Sequence, residues 1–299
     1  MSEDALELSP EFLRKLEFLR LSSRRTHAGR LAALQRSRRV GRGIDFADHR
    51  PYSPGDSFQD IDWNLYGRLD RLMVRLAEEE SELNLHVLVD RSRSMDAAPT
   101  GDGLGKSEFV RRVVTALSYV ALARLDRVHV YPFGERLGHP LSPKRDKAQA
   151  LEVYRHLGRV AAMGETDLEL AVRSFVEVAR VRGVVLVVSD FLAPGGWQRA
   201  LDLLRHARHE VALLQVTAPE EEEVGLRGEV LLRDSETGGV MRVRVTDAVA
   251  KSYRRAFLEH SEGLRSYARA NSLFFTRARC DEPFEELLLR TMRSERFLA

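Results

Sequence analysis

Short apolar runs alternate with amphipathic stretches from Arg71 to the C-terminus. Leu72, Val74 and Leu76 alternate with Met73, Arg75 and Ala77, the period-two pattern of a half-exposed edge strand. Leu85-His86-Val87-Leu88-Val89 is almost wholly apolar, as a strand covered on both faces requires. Phe109, Val113, Leu117, Val120 and Leu125 recur at helical spacing, and Val128 to Phe133 reads as the next strand. Helices are predicted over 147–157, 168–181 and 197–207, and strands over 184–188 and 211–216. Glu220 to Glu223 reads as an acidic loop. The runs 229–233 and 241–245 flank Ser235-Glu236-Thr237-Gly238-Gly239, a hairpin signature. A long helix then carries Tyr253, Phe257, His260, Leu264 and Tyr267. Leu273 to Phe275 forms a last short strand, and Pro283 suits the first turn of a closing helix. Repeated strand–helix units of this kind predict an α/β class with a doubly wound, mostly parallel sheet, helices on both faces and a β-hairpin insertion.

The first 80 residues have a different character. Phe12, Leu16 and Leu19 mark a helix that Leu31 and Leu34 extend or follow, and between Arg14 and Arg42 ten Lys or Arg stand against the single acid Glu17. This basic helical segment is read first as a solvated face over a core, and second as a contact for an anionic partner. Gly41, Gly43 and the turn Pro54-Gly55-Asp56 punctuate its end. Asp60 and Asp62 in Asp60-Ile61-Asp62-Trp63 are assigned to capping and to pairing with arginines. The expected domains are therefore 1–80, with the basic helices, the Pro-Gly-Asp loop and the edge strand, and 81–299, the α/β unit.

Composition narrows the function. In 299 residues, 43% hydrophobic and 31% charged, there is material for a core, and 47 Lys and Arg against 45 Asp and Glu leave a net charge of +2. That balance disfavours a dedicated nucleic-acid coat, so nucleic acid is not the expected partner. The single Cys280 excludes an intrachain disulfide and any multi-cysteine metal site, and is read as an inert thiol. No run approaches the roughly 18 apolar residues of a membrane span, and Met1 to Pro10 has no leader pattern, so a cytoplasmic protein is expected.

Candidate chemistry gathers at strand ends, where doubly wound sheets bind ligands. Asp90-Arg91-Ser92-Arg93-Ser94 follows the strand 85–89. Gly164-Glu165-Thr166-Asp167 precedes a helix, and Ser189-Asp190 ends the strand 184–188. Carboxylates and hydroxyls are hard oxygen donors that suit Mg²⁺ or Mn²⁺. Asp90, Ser92, Ser94, Thr166 and Asp190 in this order resemble the metal-ion-dependent adhesion site of the von Willebrand factor A fold, over Asn84 to the C-terminus. The resemblance implies one divalent ion on these five residues, with a coordination position left for an acidic side chain of a protein partner. A narrower resemblance adds Tyr52-x-Pro54-Gly55-Asp56, Ile61-Asp62-Trp63, Arg75 and Asp234-x-Glu236-Thr237-Gly238. These look like the bacterial family called domain of unknown function 58, which implies a MoxR-type AAA+ ATPase partner and a chaperone-like or assembly role. Tyr52, Asp56, Asp62 and Trp63 are then expected to pack against the metal-binding domain or to shape the partner face.

Arg91 and Arg93 interleave the metal loop and are expected to be exposed. Gly101 to Ser107 imitates a phosphate loop, but Thr100 stands where the pattern requires glycine, and the segment lies well beyond its strand. His206 and His209 are too few for zinc. Nucleic-acid or scaffold binding through the basic N-terminal helices is one rival reading, and an Mg²⁺-dependent phosphohydrolase using Asp90 as nucleophile is the other. Ser92 occupies the position where such enzymes place a second carboxylate, so no catalytic residue is assigned.

Overall fold

The computed structural model describes residues 9–22, 46–58, 61–77, 83–96, 104–295 and 297–298. Most of the basic segment, with Leu31, Leu34, Gly41 and Gly43, lies outside them, as do Asp60 and Gly101 to Gly103. The chain divides into two compact units, one of residues 1–22 with 83–299, the other of 23–82.

The smaller unit holds strand β1 (Phe46–Pro51), a helix (Trp63–Leu69) and strand β2 (Met73–Ala77), with β1 and β2 antiparallel. Asp62 caps the helix: its Oδ1 accepts from Asn64 N and Leu65 N at 3.0 Å each, and its Oδ2 lies 3.0 Å from His49 Nε2. Capping is thus as expected, with a histidine as partner to Asp62. Trp63 and Tyr66 are exposed in this unit.

The larger unit is built on strands β3 (Asn84–Asp90), β4 (Arg127–Phe133), β5 (Val184–Ser189), β6 (Glu210–Thr217) and β9 (Phe274–Arg279). They form one sheet in the order β4-β3-β5-β6-β9, with every neighbouring pair parallel. This is the doubly wound α/β class that the apolar pattern predicts. The chain leaves β3 in one direction to β4 and returns on the other side of β3 to β5, so the switch point falls between the carboxyl ends of β3 and β5.

The inner strands β3, β5 and β6 are buried along nearly their whole length because each is covered twice. Leu85, Val87, Val89, Leu186 and Val188 face a core with helix Lys106–Ala123 and the first helix, Pro10–Glu17. Leu88, Val185, Val187 and Leu213 face a second core with helices Leu168–Val178, Gln198–His206 and Asp247–Ala270. Burying each such side chain contributes about 1.5–3 kcal/mol. Phe12 and Leu16 belong to the first core, and the Phe12 ring meets Phe284 edge-on at 5.5 Å. The start of the basic segment is therefore part of the large unit, fixed by its apolar stripe and not by its charge.

Strands β7 (Gly228–Arg233) and β8 (Val240–Val245) form the antiparallel hairpin. Local differences from expectation have simple causes. Leu125 follows the helix and is exposed, at φ 60°. Glu220 to Glu222 lie in a helical turn, Pro219–Glu222, where acids favour the N-terminal end. The last strand extends to Arg279, past the apolar run, because Thr276 and Ala278 are also buried. Pro283 stands before a short irregular helix, at its N-cap.

Candidate functional site

The five predicted ligands converge at the switch point. Asp90 ends β3, is 1% exposed, and is fully engaged: Oδ1 accepts from Ser92 N at 2.9 Å and Oδ2 from Ser189 Oγ at 2.6 Å. Ser92 Oγ lies 3.0 Å from Ser94 Oγ, and Ser94 Oγ donates to Asp190 Oδ2 at 3.1 Å. Thr166 Oγ1 stands 3.4 Å from both oxygens of Asp90. One network thus joins the loops after β3 and β5 to the loop between helices Ala150–Arg159 and Leu168–Val178.

Backbone contacts hold the loops in place. Arg91 N donates to Phe133 O, Met163 N to Arg91 O at 2.7 Å, Arg93 N to Gly164 O, and Asp167 N to Gly134 O. The Thr166 loop approaches the end of β4 so closely that a Cβ on Gly134 would lie 2.5 Å from Met163 O, and Gly164 turns the loop at φ +79°. Gly134→Ala is expected to lower stability by about 1–3 kcal/mol, the usual effect of overpacking, because the obstacle is backbone. Urea unfolding measures it, and an unchanged midpoint would mean that the loop yields freely.

Electrostatics at the site are those of crowded anions. Burial and the nearby Asp190 push the Asp90 carboxyl up to about 6, against the Ser189 and Ser92 hydrogen bonds that lower it. Lys106 provides the compensating charge. It begins an 18-residue helix, where the macrodipole disfavours a cation. Its ammonium donates to Asp190 Oδ2 at 2.9 Å and bonds Glu221 Oε1, and the side chain is 3% exposed. Burial alone would push that ammonium down, but Asp190 and Glu221 outweigh it and leave it above the ordinary lysine value. Asp190 also accepts from Leu192 N through Oδ1 at 3.1 Å, and its carbonyl from Gln215 Nε2 at 3.1 Å.

Arg91 departs from expectation. Its side chain is buried, with Nη1 donating to Ser107 Oγ, Nη2 to Val160 O at 2.8 Å, and Asp96 3.5 Å away. Its long stem is buried and its fork is satisfied by Ser107 and Val160, 16 and 69 positions away. Arg93 is the exposed one, and Nη1 donates to Glu236 O at 3.1 Å. Glu236 comes from the hairpin turn, and its carboxylate lies 3.4 Å from Thr166 Oγ1 and N.

The sequence reading did not include Lys106, Glu221, Ser189 and Glu236 among the site residues. Lys106 and Glu221 are 115 positions apart and carry no local signal, whereas Ser189 and Glu236 stand inside motifs already singled out. His206 lies on its helix and His209 is buried in the loop after it, and among the described residues no group of three or more His, Cys, Asp or Glu is placed to hold a metal ion. Cys280 is buried, and burial pushes its thiol up to about 11, away from reactivity. Among the described residues no helix is long and apolar enough to cross a membrane.

A family model described as "Protein of unknown function DUF58" matches residues 48–263. Curated relatives include the uncharacterized protein Rv1480 of Mycobacterium tuberculosis, 26% identical over 264 residues, 86% of this chain and 81% of the relative. The uncharacterized protein MAV169 of Mycobacterium avium is 27% identical over 155 residues, 52% of this chain and 91% of the relative. Among solved structures, BatB from Bacteroides thetaiotaomicron aligns over 71% of this chain and 98% of its own, at 15% identity and TM-score 0.42. The vWF domain of the type V pili tip protein Mfa5 from Porphyromonas gingivalis aligns over 38% of each chain, at 18% identity and TM-score 0.29.

Proposed function

Since the chain belongs to the DUF58 family of proteins of unknown function, we propose for it a role that family membership leaves open, as a protein-interaction module working through a divalent cation. Asp90, Ser92, Ser94, Thr166 and Asp190 would hold one Mg²⁺ or Mn²⁺. The observation that carries this reading is the joining of all five side chains in one network of hard oxygen atoms around two buried carboxylates. Asp90 retains a proton more readily than an ordinary carboxylate because it is buried and Asp190 lies near, a repulsion that a divalent ion would relieve. A bound cation supplies a partly hydrated positive centre that a carboxylate of another protein can ligate.

The chain's own residues set the terms of that contact. Ser189 and the Ser92 amide hold Asp90 in place, while Lys106 and Gln215 do the same for Asp190. Ser92, Ser94 and Thr166 add no charge, so the two carboxylates alone would offset a divalent ion and the set would carry no net negative charge toward an incoming acid. A partner offering an acidic side chain fits this chemistry, and a MoxR-type AAA+ ATPase, implied by the family resemblance, is the partner to test first.

The test is calorimetric unfolding of the full chain with chelator and with Mg²⁺. At a hundredfold excess over Kd, a ligand that binds only the folded state adds about 2.7 kcal/mol. That corresponds to about 5 °C in Tm at roughly 2 °C per kcal/mol for a chain of this size. Wild type should gain this shift and Asp90→Ala should not. Retention of a purified MoxR-type ATPase should follow the same pattern. Equal shifts in the two proteins would overturn the cation assignment.

A further inference from the structure

The turn between β7 and β8 is ordered to present one side chain. Asp234 Oδ1 accepts from Glu236 N at 2.8 Å and Thr237 N at 3.2 Å, Asp234 N donates to Gly239 O, and Gly238 takes φ 74°. Around it the hairpin is open to solvent, with Leu231 66%, Val240 59% and Met241 60% exposed. Glu236 is half-buried, in contrast to its neighbours Ser235 and Thr237. The tip is therefore seated while most of the two strands are not.

Its seat is the oxygen network itself. The Glu236 carboxylate lies 3.4 Å from Thr166 Oγ1, and that same hydroxyl lies 3.4 Å from each oxygen of Asp90. Such distances are long for a hydrogen bond. An acidic side chain is thus brought to the edge of a site that already holds two buried carboxylates. Like charges repel, by about 1 kcal/mol at 4 Å in water and several-fold more where water is scarce. Arg93 donates to the Glu236 carbonyl oxygen, which holds the tip by its backbone. A shared cation would turn this repulsion into attraction.

We infer that Glu236 is an internal competitor: its carboxylate takes the position on the cation that a partner's acidic side chain would occupy, and the hairpin must lift before a partner binds. This rests on the cation reading above. The thin attachment of the hairpin, through Arg93 and Thr166, makes lifting a local event, and Asp234 keeps the turn formed as it moves.

The experiment uses the full chain, Mn²⁺ and acetate as a carboxylate probe. Water-proton relaxation counts exchangeable waters on bound Mn²⁺, and titration with acetate follows their displacement. Wild type should show one water fewer than Glu236→Ala, and acetate should displace water from the variant at concentrations at least about tenfold lower, the factor expected if the open form is a tenth of the population. Glu236→Ala sits on an exposed hairpin and leaves Asp90, Ser92, Ser94, Thr166 and Asp190 in place. Equal water counts and equal acetate responses, with Mn²⁺ bound to both proteins and not to Asp90→Ala, would overturn the competitor while leaving the cation site intact. Failure of wild type to bind Mn²⁺, or undiminished binding by Asp90→Ala, would overturn both.

Discussion

Lys106→Met is expected to destabilise the protein in chelator by about 3–5 kcal/mol, the usual result of removing one partner from a buried ion pair. Lys106 and Asp190 are both nearly inaccessible, 3% and 4% exposed at the side chain, so solvent cannot replace the lost charge. Asp190 would keep its hydrogen bonds from Ser94 and Leu192, but stand as a second uncompensated carboxylate near Asp90, with Glu221 close by. Methionine fills most of the volume, which separates the charge effect from a cavity. Two further results should accompany the loss. Mg²⁺ should stabilise the variant more than wild type, because the site then has one positive charge fewer to compete with the ion. The double variant Lys106→Met/Asp190→Leu should regain most of the stability and lose the response to Mg²⁺, since replacing both members of a buried pair by apolar groups is often neutral. Urea unfolding of wild type, the single variants Lys106→Met and Asp190→Leu, and the double variant, with and without Mg²⁺, measures the coupling. An additive double variant would mean that the two charges act independently.

The sheet was readable from the chain because burial on both faces demands runs such as 184–188, which few other settings tolerate. The site was readable for a related reason: topology places strand ends together, so Asp90 and Ser189-Asp190 meet at the switch point whatever the loops do. Lys106 shows where that reasoning stops. In sequence it sits in an imitation of a phosphate loop, and only the packing of helix Lys106–Ala123 against the sheet aims it at Asp190. Arg91 makes the same point from the other side. Alternation along a loop does not fix exposure, and Ser107 and Val160, far from it in sequence, decide that it is buried. Glu236 stood in a recognised motif, yet its nearness to Thr166, 70 positions away, depends on how the hairpin folds over the strand ends.

Acid should weaken the fold through His86, and the size of the effect follows from where that ring lies. His86 is buried on β3, opposite His129 of β4 in the sheet register. The two rings stack at 5.1 Å, with His209 5.6 Å and Phe175 5.4 Å away. Nε2 lies 3.0 Å from Val181 O, and as a carbonyl only accepts, the proton is on Nε2. Nδ1 has no hydrogen-bond partner among the described residues, so a second proton would enter an apolar site beside two other histidines. Burial first, then His129 and His209, push His86 down from 6.5 to about 4. Between these values the unfolded chain takes up a proton that the folded chain refuses, so stability is complete above about pH 6.5 and falls as pH drops toward 4. At 1.36 kcal/mol per unit, the loss approaches about 3 kcal/mol. His129 is also lowered and acts in the same direction, whereas the raised Asp90 acts in the opposite one, stabilising the fold as pH falls from about 6. Wild type must therefore be compared with a variant and not read alone. His86→Phe keeps a ring in the stack and removes the titration, and losing the bond to Val181 should lower its stability at pH 7 by about 1 kcal/mol. Between pH 7 and 4.5, urea unfolding should show wild type losing about 2–3 kcal/mol more than the variant. Parallel pH profiles for the two proteins would mean that His86 accepts its second proton in the folded state as readily as in the unfolded one.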